Sequence, residues 1–344
     1  MDVSSILSRL DDIKELTRPI VVFGDYCLDK YLFIDPDRDE PSLETGLTAY
    51  QVYDVKCYPG AAGTVCNNLR SLGAPVLCVG FCGNDGSGYD LLHALKKIGA
   101  DTSLMVHAED MRTCAYIKPM RRQDDGSFAE LNRLDIRNFR SLSRELEDQL
   151  LNNLREAMKN ASAVIILDQF VQRNMGTVTD YVRDALNSIA KEAQEQGVLF
   201  YVDSRAYADE YRNMTVKCNN LEFMSLGSMA AQDADDEDEI RRRALLLRRE
   251  TGNSYYITRG SRGMMTTDGD EVKSVEGFRV DGPIDIVGAG DASSAGIVLG
   301  LVLGLSREQA AKLACAVSSI TIQQLGCTGT ATVGQVRDRL MGRS

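Results

Sequence analysis

Residues 285–291 read Asp285-Ile286-Val287-Gly288-Ala289-Gly290-Asp291, and Ala292-Ser293-Ser294-Ala295-Gly296 follow. A Gly-Ala-Gly turn that opens a helix of small residues leaves unpaired backbone N–H groups at the positive end of the helix dipole, which is a site for anions. Small side chains let a phosphate approach the backbone closely. Asp291 falls in the first helical turn, facing that site. It is either a partner for the dipole or a general base that takes a proton from an attacking hydroxyl while the amides stabilise a transferring phosphoryl group.

Working outward, short apolar runs end in polar or glycine residues: Ile20–Phe23 before Gly24, Val76–Val79 before Gly80, Val164–Leu167 before Asp168, Leu199–Val202 before Asp203, and Tyr255–Thr258 before Arg259-Gly260. Helical patterns lie between and beyond them, at 61–72, 87–98, 141–159, 172–196, 239–251, 291–303 and 307–324. Ser306-Arg307-Glu308-Gln309 supplies a capping box for the last of these. Strands alternating with helices predict a mostly parallel sheet covered on both faces, with ligands beyond the C-terminal strand ends. Tyr31–Tyr58 and Thr113–Leu134 break the rhythm with strand-like alternation and no helix, so they predict a small β flap inserted into one domain, 1–344.

Composition narrows the function. The 344 residues carry 39 Lys and Arg against 50 Asp and Glu, a net charge of −11, which disfavours nucleic acid and anionic membranes as partners. No apolar run is long enough to span a bilayer. Met1–Leu16 reads as a short amphipathic helix without the order of a secretory signal. The nine cysteines read as reduced core residues of a cytoplasmic protein: Cys78 and Cys82 have nothing to complete a metal site, and His93 and His107 are the only histidines. The acidic run Asp233–Glu239 followed by Arg241–Arg243 reads as a helix with acids first and bases later.

With these motifs in view, the chain resembles the ribokinase/PfkB-like family of carbohydrate kinases over about residues 18–338. The resemblance implies a ribokinase-like three-layer α/β sandwich with a mostly parallel central sheet and a small β lid. It implies Asp291 as catalytic base and Gly288, Ala289 and Gly290 as anion hole. Gly24-Asp25-Tyr26-Cys27-Leu28-Asp29 is similar to the family's first motif, which implies that Asp29 binds sugar hydroxyls. Pro59-Gly60-Ala61-Ala62-Gly63-Thr64, with Gly73, Gly80, Gly83, Asp85 and Gly88, resembles the N-terminal signature, so Gly60, Ala61 and Thr64 are expected at the sugar. The family commonly has Gly at Ala61 and Asn at Thr64, so the pocket is altered.

Asn219-Asn220-Leu221-Glu222 resembles the motif that organises the Mg²⁺ of Mg-ATP through water, with Cys218 where the family has Pro. Thr258, Gly260 and Gly263 are expected along the nucleotide, and Cys315 near the adenine where the family usually has Asn. Asp285, six residues before Asp291, corresponds to an Asp that helps hold K⁺ in cation-activated members, although Ile286 and Val287 replace two threonines.

Leu28-Asp29-Lys30-Tyr31 and Arg133-Leu134-Asp135 look most like the bacterial phospho-heptose kinases, with Arg38–Glu44 a partial match to their flap segment. A sugar phosphate is the expected acceptor, with Lys118, Arg121 and Arg122 as candidates for its phosphate and a free hexose or ribose as rival. No nucleotidyltransferase-like second domain is expected, and pairing of the flap implies a homodimer. A binding-only sugar or nucleotide sensor is the alternative from another class, supported by the departures at Ala61, Thr64, Val287 and Cys315. A mainly structural partner protein is a third reading. An NAD-dependent Rossmann enzyme is disfavoured, since no Gly-x-Gly-x-x-Gly follows the first strand.

Overall fold

The computed structural model describes residues 3–227, 234–326 and 328–343. Its centre is a nine-stranded sheet in the spatial order Glu271–Val275, Met264–Asp268, Ser254–Thr258, Thr215–Asn219, Leu199–Ser204, Ala163–Asp168, Ile20–Gly24, Val76–Gly83, Asp101–Ala108. All neighbouring pairs are parallel except the two made by Met264–Asp268, which is antiparallel to both neighbours. Alternation along the strands feeds two cores. Ile20 and Val22 pack with the helices Ala62–Ser71, Gly86–Lys97, Ala289–Val302, Arg307–Thr321 and Val333–Leu340. Val21 and Phe23 face the other way, against Arg144–Met158, Asp180–Glu195 and Glu237–Thr251. Period-2 side-chain alternation thus builds three layers.

A second sheet stands beside the first, ordered Leu134–Ile136, Cys114–Arg122, Tyr26–Ile34, Val52–Ala61, with Phe128–Glu130 paired to Cys114–Arg122. Tyr26–Ile34 continues almost directly from the first core strand, so the lid starts five residues before the break at Tyr31 that the alternation suggests.

The 172–196 helix begins later than its pattern, at Asp180, where Thr179 caps it by accepting from the Val182 amide. The preceding loop is tied to the core instead: Asp25 accepts from the amides of Gln169 (2.8 Å) and Thr177 (2.6 Å), and the Thr177 hydroxyl donates to the Gly24 carbonyl (3.0 Å). Strands at Asp101–Ala108, Thr215–Asn219, Met264–Asp268 and Glu271–Val275 and the helix Val333–Leu340 add to those read from sequence. At the N-terminus a short helix, Val3–Arg9, runs into a 3₁₀ turn, Leu10–Glu15, and buries Ile6, Leu10 and Ile13; Met1 and Asp2 lie outside the described residues. Asp236 caps the Glu237–Thr251 helix, with acids in its first turn and Arg248 and Arg249 in its last. Asp233, the start of that acidic run, is outside the described residues. Eight cysteines are free, seven of them buried and Cys57 half-buried; Cys327 lies outside the described residues.

Candidate active site

The turn at 285–288 feeds the helix Ala289–Val302 through Gly288, whose φ of +80° places it in the left-handed region. Small residues permit this entry: a Cβ on Gly288 would lie 3.4 Å from a Thr328 methyl. The anion hole differs from expectation in one donor. The Ala289 amide turns back to the Ile286 carbonyl (3.1 Å), whereas the amides of Gly288, Gly290 and Asp291 have no acceptor among the described residues. Open N–H groups at a helix start are a cradle for an anion.

Asp291 stands on the first turn of that helix, walled by protein yet with part of its surface still in the cleft. Burial pushes its carboxyl up to about 7, and the charge of Asp203 adds to the shift. Lys217 and Arg205 pull the other way, and Asp29 is near enough to push it up further. A carboxylate poised near neutrality, beside open amides, is equipped to accept a proton where negative charge is also stabilised.

Asp29 lies on the lid strand Tyr26–Ile34, facing Lys118 across the parallel pair (3.4 Å). Burial raises its carboxyl, while Lys118 and Arg133 lower it. Gly60 is required beneath it, because a Cβ there would sit 2.6 Å from Asp29 Oδ2. Gly60→Ala is therefore expected to displace the Asp29 carboxylate and raise the acceptor KM several-fold. Stability should hardly change, because the obstacle is the far end of a movable side chain. Steady-state kinetics beside a melting curve test this.

Ala61 takes φ +52°, ψ −118°, the only non-glycine in the 59–64 turn with positive φ. A conformation that glycine adopts freely costs an alanine about 1–3 kcal/mol. The Thr64 hydroxyl donates back to the Pro59 carbonyl (3.4 Å), and its methyl faces Gly288.

Of the residues expected at the nucleotide, Asn219 and Thr258 are register partners at the ends of adjacent strands, so their side chains leave on the same face. Asn219 and Glu222 form a reciprocal capping box: Asn219 Oδ1 accepts from the Glu222 amide (2.8 Å) and Glu222 Oε2 from the Asn219 amide (2.8 Å). The cap leaves Glu222 Oε1 without a hydrogen bond among the described residues, so the pair fits a water-mediated Mg²⁺, an ion that keeps most of its waters. Gly260 (φ +58°) faces open space. Gly263 (φ +84°) is fixed by packing, since a Cβ would strike the Val275 carbonyl at 2.1 Å. Cys315 is buried in the Arg307–Thr321 helix, its thiol pushed up to about 11 by burial, so it is neutral. Asp285 spends both oxygens on amides, Val287 (3.0 Å) and Gly326 (3.1 Å), and Ile286 and Val287 are exposed and lack oxygens in their side chains. Asp285 is a clasp for the turn.

With this geometry in place, comparison with known proteins decides the family: the pfkB family carbohydrate kinases match residues 20–332. The chain belongs to the pfkB family of carbohydrate kinases. The chain is similar to bifunctional protein HldE of Trichlorobacter lovleyi, 27% identical over 345 residues, and of Coxiella burnetii (strain Dugway 5J108-111), 28% identical over 329. It covers 97% and 93% of itself in these matches but only 64% and 63% of those relatives' lengths. Among solved structures it shares its fold with Arabidopsis thaliana ribokinase complexed with ribose and ATP (TM-score 0.67, 18% identity, 94% of this chain and 99% of the other). It also shares it with Escherichia coli phosphofructokinase-2 in complex with potassium (0.73, 17%, 95% and 99%).

In this pfkB kinase two charged residues of the site escape sequence reading. Asp203 stands one residue before the end of its strand, and its register partner Lys217 forms a buried ion pair with it. Lys217 also reaches the Gly290 carbonyl (3.4 Å). The signal was a lone lysine inside the apolar run Val216-Lys217-Cys218, since a strand buries a charge only when it is paired. Of the three flap cations, only Lys118 faces Asp29. Arg121 pairs with Asp39 (2.6 Å), and Arg122 with Asp35 and Asp37 (2.5 Å each).

Proposed function

We propose that this pfkB kinase transfers the γ-phosphoryl group of ATP to a hydroxyl of a small sugar phosphate resembling a heptose phosphate, in the cytoplasm. The observation that carries the reading is the Asp291 carboxylate, raised to about 7, beside the open amides of Gly288, Gly290 and Asp291 and across from Asp29. Asp29 orients the acceptor by taking hydrogen bonds from its hydroxyls. Asp291 accepts the proton of the attacking hydroxyl, and the amides hold the oxygens of the transferring group where charge develops. Asn219 and Glu222 would hold Mg²⁺ through water, where the ion offsets phosphate charge. Thr258, Gly260 and Gly263 line the path of the nucleotide, and Cys315 stands toward its base.

A phosphorylated acceptor is favoured by Lys118, whose ammonium lies 3.4 Å from Asp29 and 3.0 Å from the Tyr31 hydroxyl on a wall that also holds Arg133. Escherichia coli phosphofructokinase-2 forms a complex with fructose 6-phosphate and Arabidopsis thaliana ribokinase one with ribose, so the acceptor test compares these with a heptose phosphate. A higher kcat/KM for the phosphorylated sugars, reduced toward the level of ribose in Lys118→Met, supports the reading. Equal kcat/KM of the two proteins for the phosphorylated sugars contradicts it. The exposed Val52, Tyr53 and Val55 on the outer lid strand suit pairing with a second copy, which light scattering would detect as a dimer.

A base must be ionised to accept a proton. Since Asp291 titrates near 7, kcat/KM should drop roughly tenfold per pH unit below that value and level off above about 8. A profile flat from pH 5 to 8, on a chain still folded, argues against Asp291 as the base.

A further inference from the structure

The buried pair Asp203–Lys217 lies directly beneath the turn that starts the Ala289–Val302 helix, and its contacts are uneven. Asp203 Oδ2 accepts from Lys217 and from the Ser294 hydroxyl (3.0 Å), and Ser294 also reaches the Gly290 carbonyl (3.1 Å). The Tyr201 hydroxyl backs Ser294 (2.9 Å). The Lys217 ammonium stands 3.4 Å from the Gly290 carbonyl oxygen, and a Cβ on Gly290 would come within 3.1 Å of it. An ordinary lysine need not be here. It is buried at 6% exposure, and burial opposes its charge, yet Asp203 more than offsets that and holds it protonated.

The Gly290 carbonyl and the Asp291 amide belong to one planar trans peptide, so they point in opposite directions. A cation bound at the carbonyl fixes the plane of that peptide and draws electron density toward the oxygen. Both effects make the N–H on the far side a better aimed and stronger donor. That N–H is one of the open amides of the anion hole.

We propose that Lys217, anchored by Asp203, is a positioning residue for phosphoryl transfer that acts through the Gly290–Asp291 peptide. The inference rests on the reading of those amides as the anion hole. It adds a fixed charge behind them, supplied by a strand on the opposite side of the turn from the acceptor.

Lys217→Met alone leaves Asp203 buried and unpaired, which can prevent folding. The double variant Lys217→Met/Asp203→Asn removes both charges and carries the test in that event. Turnover of ATP with fructose 6-phosphate, ribose and a heptose phosphate is measured beside the binding of MgADP with and without aluminium fluoride, a mimic of the planar phosphoryl group. The expected result is a roughly 10- to 100-fold fall in kcat with matching loss of aluminium fluoride affinity, while MgADP affinity and the acceptor KM stay within about threefold. A merely structural pair would lower the melting temperature and leave that ratio unmoved. A folded double variant with wild-type kcat and wild-type aluminium fluoride affinity overturns the inference and leaves the Asp291 reading standing. A wild-type chain that phosphorylates no acceptor overturns both.

Discussion

Asp291→Asn is expected to reduce turnover by about 10²–10⁴-fold with ATP and acceptor affinities nearly unchanged. Asparagine keeps the size of the side chain but cannot take a proton. The open amides of Gly288, Gly290 and the residue itself remain, so ground-state binding should survive. The same substitution carries a stability signature of definite sign. The Asp291 pKa rises on folding from an ordinary 3.8 to about 7, so between those values the folded protein keeps a proton that the unfolded chain has lost. Stability therefore declines as pH rises through that window and stays lowered above it. The asparagine variant escapes this cost. It should melt above wild type at pH 8, with the gap closing as pH falls toward 4. A variant that loses turnover and melts lower at pH 8 would point to damage rather than to removal of a strained base.

The second large effect is structural. The helix that carries Asp291 packs on Arg307–Thr321 with almost no gap: a Cβ on Gly296 would lie 2.6 Å from the Ala314 Cα, and one on Gly300 2.9 Å from the Ala310 Cα. These are backbone atoms that cannot swing aside. Gly296→Val must part the two helices and is expected to cost about 3 kcal/mol, toward the upper end of overpacking effects. Because the strain falls five residues from Asp291, turnover should fall as well. Gly86→Ala, at a helix start with nothing within 4 Å of the added carbon, is the control and should be close to neutral. Chemical denaturation of both variants measures the difference.

Much of this architecture was legible because strand ends in a parallel sheet are punctuated. Gly24, Asp168 and Asp203 each stop an apolar run, and each lies at the C-terminal edge where the site forms. The Gly-Ala-Gly-Asp turn was readable for the same reason, as small residues followed by an acid at a helix start. Other parts were hidden by tertiary context. Asp101–Ala108 lies at the sheet edge with mixed exposure, so it lacks a clean apolar run. Lys217 interrupts the run that would have announced Thr215–Asn219, because its charge is balanced only by a residue on the neighbouring strand. The pattern of 172–196 continues a helix whose first turns are replaced by a loop fastened to Asp25 and Gly24, contacts more than 140 residues distant in sequence. The clasp at Asp285 likewise depends on a partner, Gly326, that its motif does not name.

Asp25 illustrates how the lower rim of the site is held. Burial and the nearby Asp168 raise its carboxyl to about 6, against hydrogen bonds from the 169–177 loop. Asp168 in turn accepts from Ser204 and Tyr211 (2.8 Å each) and faces Arg183. These acids anchor loops and lie apart from the open amides, so they are read as scaffold.

The most direct test of phosphoryl transfer is acceptor-dependent formation of ADP from Mg-ATP by the full chain, followed by phosphorus NMR with fructose 6-phosphate, ribose and a heptose phosphate. ADP and a new sugar phosphate resonance in equal amounts, arising only when an acceptor is present, is the predicted result. Tight binding of ATP and sugar with no new resonance would contradict it and would make the chain a sensor on a kinase fold, with Ala61, Thr64, Val287 and Cys315 as the changes that silenced it.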